Sequence, residues 1–284
     1  MKAAAFDYLR ASSVDEAVEA LAAHEDAKVL AGGQSLVPLL NLRLARPSVI
    51  VDINHLDLGY VRRDNGHLAI GALTRQRVAE TSSLIQTEAP LLAEALQHIG
   101  HVTIRNRGTI GGSIAHADPA AELPAVALAL DASFVVHGTR GSRVIAAADF
   151  FRGPLTTALD PDELLVEVRV PVWPGACAVE ELTRRHGDFA LVAVFVAIAV
   201  DPDGTCQGAR IAVSGAGPVP VRARAAEAAL IGRTLSALVI SEAAQQVPAA
   251  TEPSSDIHAP AEYRREMSAV LARRAITRAI GGAR

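Results

Sequence analysis

Thr103-Ile104-Arg105-Asn106-Arg107-Gly108-Thr109-Ile110-Gly111-Gly112-Ser113-Ile114-Ala115-His116-Ala117-Asp118-Pro119 is the stretch on which the reading of this 284-residue chain turns. Its polar, glycine-rich character predicts a loop from His101 to Asp118. So long a loop inside a compact domain ordinarily exists to hold something, because its own N–H and C=O groups need partners. Thr109 and Ser113 are hydroxyl donors flanking the Gly111-Gly112 pair, where bare backbone can come close to a phosphate. Asp118 and Pro119 can open the next helix as cap and first residue. Arg105 and Arg107 could meet phosphate, although solvated or ion-paired arginines are commoner, and His116 reads as a loop or core histidine.

A second segment, Leu30-Ala31-Gly32-Gly33-Gln34-Ser35-Leu36, sits between a short strand and a helix start. Here too a glycine pair permits close backbone approach to an anion, and Gln34 and Ser35 could add side-chain hydrogen bonds. Taken alone it is equally a tight β-to-α turn. It is not a phosphate-binding loop of the Gly-Lys-Ser/Thr kind, and it lacks the third glycine of a dinucleotide fingerprint. Two such pairs, roughly eighty residues apart, favour one long ligand with a pyrophosphate in its middle. Neither segment offers a nucleophile with an adjacent base or paired carboxylates, so no catalytic side chain is assigned. A redox cofactor that carries its own chemistry fits that poverty.

Around these segments the pattern is mixed. The opening reads as β-α-β: a capping box at Ser13-Val14-Asp15-Glu16, a helix through Leu21, a strand at 28–30, a helical turn at 36–41 and a strand at 48–53. Asp64-Asn65-Gly66 marks a hairpin, as does Gly138-Thr139-Arg140-Gly141. Helices are expected near 74–80, 88–99 and 119–130, and a strand over 163–172. Pro171-Val172-Trp173-Pro174-Gly175 is the best linker. Strands near 179–185, 191–200 and 208–215 then precede helices at 221–231, 236–246 and 262–280. The domains expected are residues 1–56, 57–175 and 176–284.

Bulk properties exclude several classes. With 27 Lys and Arg against 31 Asp and Glu, nothing steers the chain toward nucleic acid. Its longest apolar run, Leu191 to Val200, is too short to span a bilayer, and Asp7 and Arg10 interrupt the opening before a signal-peptide apolar core can form, so none is expected. Two isolated cysteines cannot ligate an iron–sulfur cluster, no spacing proposes a metal site, and a reducing cytoplasm is the default.

Ala-Gly-Gly-Gln-Ser (31–35) and Thr-Ile-Gly-Gly-Ser (109–113), the latter preceded by Arg-Asn-Arg-Gly, resemble the FAD-binding medium subunit of the xanthine dehydrogenase and carbon monoxide dehydrogenase (molybdenum hydroxylase) family. The resemblance runs on, in order, through Ala-Asp-Pro-Ala-Ala-Glu (117–122), Arg-Arg-His-Gly-Asp-Phe-Ala (184–190), Pro-Val-Arg-Ala (220–223) and Ala-Glu-Tyr-Arg (261–264). It implies an α+β fold: two FAD-gripping subdomains of the vanillyl-alcohol-oxidase-like (PCMH) type, then a three-stranded antiparallel sheet with helices. On that pattern Ala31, Gly32, Gly33, Gln34, Ser35 and Leu36, with Thr109, Gly111, Gly112 and Ser113, wrap the pyrophosphate. Ile104, Asp118, Glu122 and Leu165 lie along the ribityl, adenine or flavin portions, and Asp188 and Phe189 near the isoalloxazine. Glu122 stands where many relatives have Asp. Val179, Glu180 and Glu181 replace a Tyr or Lys often found beside the flavin.

The resemblance further implies a large partner subunit with molybdopterin and a small one with 2Fe-2S clusters, doubled into an (LMS)2 heterohexamer. The expected location is cytoplasmic, with association to the inner membrane face left open. Two other readings compete. One is a free-standing FAD oxidase of the vanillyl-alcohol-oxidase type, for which the C-terminal portion is small as a substrate cap. The other is a scaffold without flavin, against which both glycine pairs stand intact.

Overall fold

Ser13 caps the first helix by accepting from Glu16 N at 3.1 Å, while the Glu16 carboxylate returns to Ser12 N at 2.7 Å. The predicted capping box is therefore present, with its return bond shifted by one residue. It starts α1 (Val14–Ala23) after strand β1 (Asp7–Arg10), and β2 (Lys28–Leu30), α2 (Leu36–Asn41) and β3 (Val49–Asp52) complete the first unit. β3 is the middle of a parallel sheet ordered β1-β3-β2, and all four of its residues are buried. In the computed structural model residues 2–173 and 175–282 are described; Pro174, inside the predicted linker, lies outside them.

The second unit is a five-stranded antiparallel sheet, β4-β5-β10-β6-β7, built from β4 (Val61–Asp64), β5 (His67–Gly71), β6 (Ser133–Gly138), β7 (Gly141–Ala146) and β10 (Leu164–Pro171). Asn65 and Gly66 both take positive φ, which closes the β4–β5 hairpin with the right twist. Two minor strands, β8 (Phe151–Gly153) and β9 (Thr156–Thr157), pair separately. Helices α3 (Gln76–Glu80), α4 (Ser83–Glu88), α5 (Pro90–His98), α6 (Val102–Arg105), α7 (Ile110–His116), α8 (Glu122–Ala129) and α9 (Ala147–Phe150) cover this sheet.

Two expectations fail here. The stretch from His101 to Asp118 is not one loop, because α6 and α7 occupy it. Each glycine costs a helix about 1 kcal/mol against alanine, but packing overrides that: a Cβ on Gly111 would lie 2.5 Å from the Ala72 Cβ. Nor does Asp118 cap the following helix. Its carboxylate accepts from Ala120 N at 2.9 Å in a local turn, and α8 begins only at Glu122.

The third unit holds β11 (Ala176–Leu182), β12 (Val192–Val200), β13 (Cys206–Ser214) and a two-residue edge strand β14 (Val221–Arg222). The three expected long strands thus gain a short fourth, and the helix expected from Val221 starts later, as α10 (Arg224–Leu230). Helices α11 (Ala237–Ala244) and α12 (Ala261–Gly282) follow. Along β12 the side chains alternate between two cores. Ala193, Phe195 and Ala197 join the one containing Leu68, Leu96 and Phe134, while Val192, Val194, Val196 and Ile198 join the one under α10, α11 and α12. The apolar core therefore continues across the predicted linker. A period-2 strand buried on both faces accounts for its unbroken apolar run.

Arg264, in the first turn of α12, ties this unit together. Its guanidinium donates to the carbonyls of Leu191 (2.6 Å) and Gly215 (3.1 Å) and to the Asp256 carboxylate (2.8 Å). Arg264→Ala is expected to cost about 2–4 kcal/mol, since it leaves two strand-end carbonyls without their donor. Denaturant unfolding checks this, and a loss under about 1 kcal/mol would show that water replaces the guanidinium.

Candidate functional site

The β2-to-α2 turn and the segment before α7 lie back to back. A Cβ on Gly32 would come within 2.4 Å of the Arg107 carbonyl oxygen and 2.9 Å of Gly108 Cα, so the two backbones touch. Gly33 holds φ at +72°, a conformation that L side chains rarely adopt. Gly112 faces across to Ala31, whose Cβ would be 3.9 Å from a Cβ placed there. The two glycine pairs, far apart in sequence, are thus one surface. The second segment is laced to the chain beside it: Gln76 N donates to Gly108 O, Ile110 N to Thr74 O and Gly111 N to Ala72 O. Thr109 caps α7 by accepting from Gly112 N at 3.1 Å.

A cleft of about 800 Å³ opens beside this surface, walled by Ala31, Gly32, Gly33, Gln34, Ile104 and Arg107 among others. Among the described residues the N–H groups of Gly32, Gly33, Gln34 and Ser35 have no acceptor within the chain. Unsatisfied backbone donors call for a partner. Four consecutive ones beside a cleft, with two glycines that keep side chains out of the way, suit the oxygens of a pyrophosphate. The residues present therefore fit the phosphate portion of FAD.

Other expected residues scatter along a path from that surface. Ser35 precedes α2 without a side-chain cap bond, Leu36 opens that helix, and Ser113 lies within α7. Leu165 is buried in β10 at a bulge in its pairing with β6. Asp188 and Phe189 lie between β11 and β12, Phe189 being 60% exposed. Their loop is fastened to the second unit at Gly187 (φ +88°), which packs on the His101 ring, while His186 meets that ring edge-on at 5.5 Å. Glu122 does not open onto the cleft. It is 4% exposed, and burial first, then the charge of Glu181, push its carboxyl up to about 8. Close by, His98 Nδ1 lies 3.1 Å from Glu181 Oε2, an ion pair by distance that falls short of hydrogen-bond geometry.

Sequence reasoning missed Asp52, Asn54 and Arg75, which line the same cleft. Asp52 is held by the Tyr8 hydroxyl at 2.5 Å and by Asn54 N at 2.9 Å. Burial raises the Asp52 pKa, but these hydrogen bonds outweigh it and hold the carboxyl below its usual range. The residual signal was the Asp52-Ile53-Asn54 strand end, because cleft residues gather where strands stop. Arg75 carried no signal at all: a lone arginine after a hairpin is ordinarily solvated.

A two-loop backbone cradle on a paired parallel and antiparallel α+β scaffold defines an FAD-binding unit joined to a third domain. Residues 4–173 match the family model for the FAD binding domain in molybdopterin dehydrogenase, and residues 177–279 that for the CO dehydrogenase flavoprotein C-terminal domain. The chain belongs to the family of FAD-binding medium subunits of molybdenum hydroxylases, a group of oxidoreductases. It is 43% identical to the 6-hydroxypseudooxynicotine dehydrogenase complex subunit alpha of Paenarthrobacter nicotinovorans, over 100% of this chain and 97% of that protein. It is 40% identical to the caffeine dehydrogenase subunit beta of Pseudomonas sp. strain CBB1, over 98% and 96% of the two chains. Among solved structures it superposes on a chain of the carbon monoxide dehydrogenase of Hydrogenophaga pseudoflava with a TM-score of 0.97 and 38% identity, over 100% of both chains. Chains of this family carry FAD and work in multi-subunit enzymes whose partner subunits hold molybdopterin and iron–sulfur clusters. The free-standing oxidase reading is not favoured.

Proposed function

We propose that this chain grips FAD along the path from the paired glycine loops to the Gly187-Asp188-Phe189 loop. There it passes electrons from a small subunit's 2Fe-2S clusters to an external acceptor. The observation that carries the reading is the run of four backbone donors, Gly32 to Ser35, that find no acceptor among the described residues and are set against the second glycine pair. Bound FAD supplies the redox chemistry, taking up electrons singly or in pairs. The chain's own residues bind and orient it: Ala31 to Leu36 and Thr109 to Ser113 at the pyrophosphate, Ile104 and Asp118 along the body of the cofactor, and Asp188 and Phe189 at its far end. The buried positions of Glu122 and Leu165 suit support from beneath better than direct contact. We take residues 1–56 and 57–175 as the two gripping subdomains and 176–284 as the third domain.

The natural assembly in this reading is an (LMS)2 heterohexamer with a large molybdopterin subunit and the small iron–sulfur subunit, in the cytoplasm. Among the described residues no helix is long and apolar enough to cross a membrane. The substrate of the complex is set elsewhere. Chains about equally similar to this one are named for 6-hydroxypseudooxynicotine and for caffeine, so the medium subunit carries little of that choice.

The purified chain is expected to be yellow and to release FAD on acid treatment in a ratio near one per chain. Chromatography of the released flavin identifies it. A colourless chain that also fails to take up added FAD would overturn the reading.

A further inference from the structure

Asn54 and Arg75 form a continuous bracket between the two glycine loops. The Asn54 amide donates to the Ala31 carbonyl (2.9 Å), the Leu30 carbonyl (3.2 Å) and Asp52 Oδ1 (2.6 Å). Its Oδ1 accepts from Arg75 Nη2 at 2.7 Å. Arginine has no acceptor, so the orientation of this amide is settled: oxygen toward Arg75, nitrogen toward the first loop. Arg75 Nη1 in turn donates to the Arg107 carbonyl at 2.5 Å, the same oxygen that lies against Gly32. The main chain of Arg75 also pairs with Thr109 as an isolated antiparallel bridge. Arg75 thus holds the second loop by its backbone and its side chain, and reaches the first through Asn54. Behind it, Tyr8 and Asp52 fix Asn54 to the first sheet.

We propose that Asn54 and Arg75 are positioning residues for FAD, setting the separation of the two loops before the cofactor arrives; this rests on the FAD reading above. The physical case is preorganisation. Two backbone loops that must converge on one pyrophosphate lose affinity when their spacing fluctuates, because ordering them then draws on the binding energy. Only a planar, forked cation spans both carbonyl-side anchors at once, and an ammonium cannot. Both side chains are only half-buried and line the cleft, so truncating them opens no cavity in an apolar core.

The test uses the full chain stripped of flavin and titrated with FAD, following the quenching of flavin fluorescence. Arg75→Ala and Asn54→Ala are each expected to weaken binding roughly 10- to 100-fold, the range for losing a charged hydrogen bond. The double variant is expected to be little worse than either single one, because each removes the same bracket. Arg75→Lys, the milder change, is expected to stay weak. Added ethylguanidinium is expected to restore affinity in Arg75→Ala but not in Asn54→Ala, a rescue that a general loss of stability would not give. Wild-type affinity in both single variants, or fully additive losses, overturns the bracket while leaving the FAD reading in place. Failure of the wild-type apoprotein to bind FAD overturns that reading and the bracket with it.

Discussion

A Gly112→Val protein is expected to purify folded but colourless. Gly112 has no left-handed backbone to protect, and valine is the better helix former by a few tenths of a kcal/mol. Its added Cβ would sit 2.6 Å from the Thr109 hydroxyl and point toward Ala31 across the gap between the loops. The cap bond from Gly112 N to Thr109 is then lost, at about 1 kcal/mol. That is tolerable for the fold, while the isopropyl group fills space assigned to phosphate. Gly33→Val is expected to lose flavin as well, with added backbone strain from its positive φ. Gly141→Val separates the two effects: it carries the same kind of strain (φ +99°) in open space on the β6–β7 turn, so it should keep its flavin. Flavin absorbance per chain and a thermal melt on each variant check this. Full occupancy in Gly112→Val or Gly33→Val sinks the pyrophosphate assignment. Gly111→Val differs in kind, because Ala72 backbone at 2.8 Å blocks it and the fold itself should fail.

The second large effect is a loss of stability as pH rises from about 5 to 9. Glu122 enters the folded protein with its carboxyl raised from 4.5 to about 8, chiefly by burial and then by the charge of Glu181. The unfolded chain ionises first, so stability from this group is complete below 4.5 and is lost as pH climbs through 8. The span corresponds to roughly 5 kcal/mol at most, from about 1.4 kcal/mol per pH unit, or on the order of 10 °C in Tm. His98, raised mainly by its contact with Glu181 against the cost of burial, acts with the same sign. Glu94 on α5 and Asp118 also face this cluster and reinforce it. Glu122→Gln cannot ionise, so it should flatten the profile and exceed the wild type in Tm at pH 8 to 9. Melts at half-unit steps measure this, and a flat wild-type curve would show Glu122 to be hydrated and ionised at neutral pH.

Much of the architecture was legible because local chemistry and final structure agree. Asn65-Gly66 closes its hairpin since both residues tolerate positive φ. Ser13 caps its helix since its hydroxyl meets a donor three residues on. The apolar run from Leu191 to Val200 is a strand buried on both faces, and both glycine pairs lie where bare backbone comes close to another segment.

The sequence by itself determined most of the elements, the two glycine pairs and, through the ordered motifs, the family. Tertiary structure alone decided what the pairs do to each other. Gly111 sits in a helix against its propensity because Ala72 leaves no room for a side chain. Glu122 turns inward because α5 and β11 close over it. Asn54 and Arg75 matter because folding brings a strand end that holds the first loop's carbonyls against a helix cap that holds the second's. Each depends on contacts between residues distant in the chain, and a linear pattern records neither their distance nor the solvent they lose.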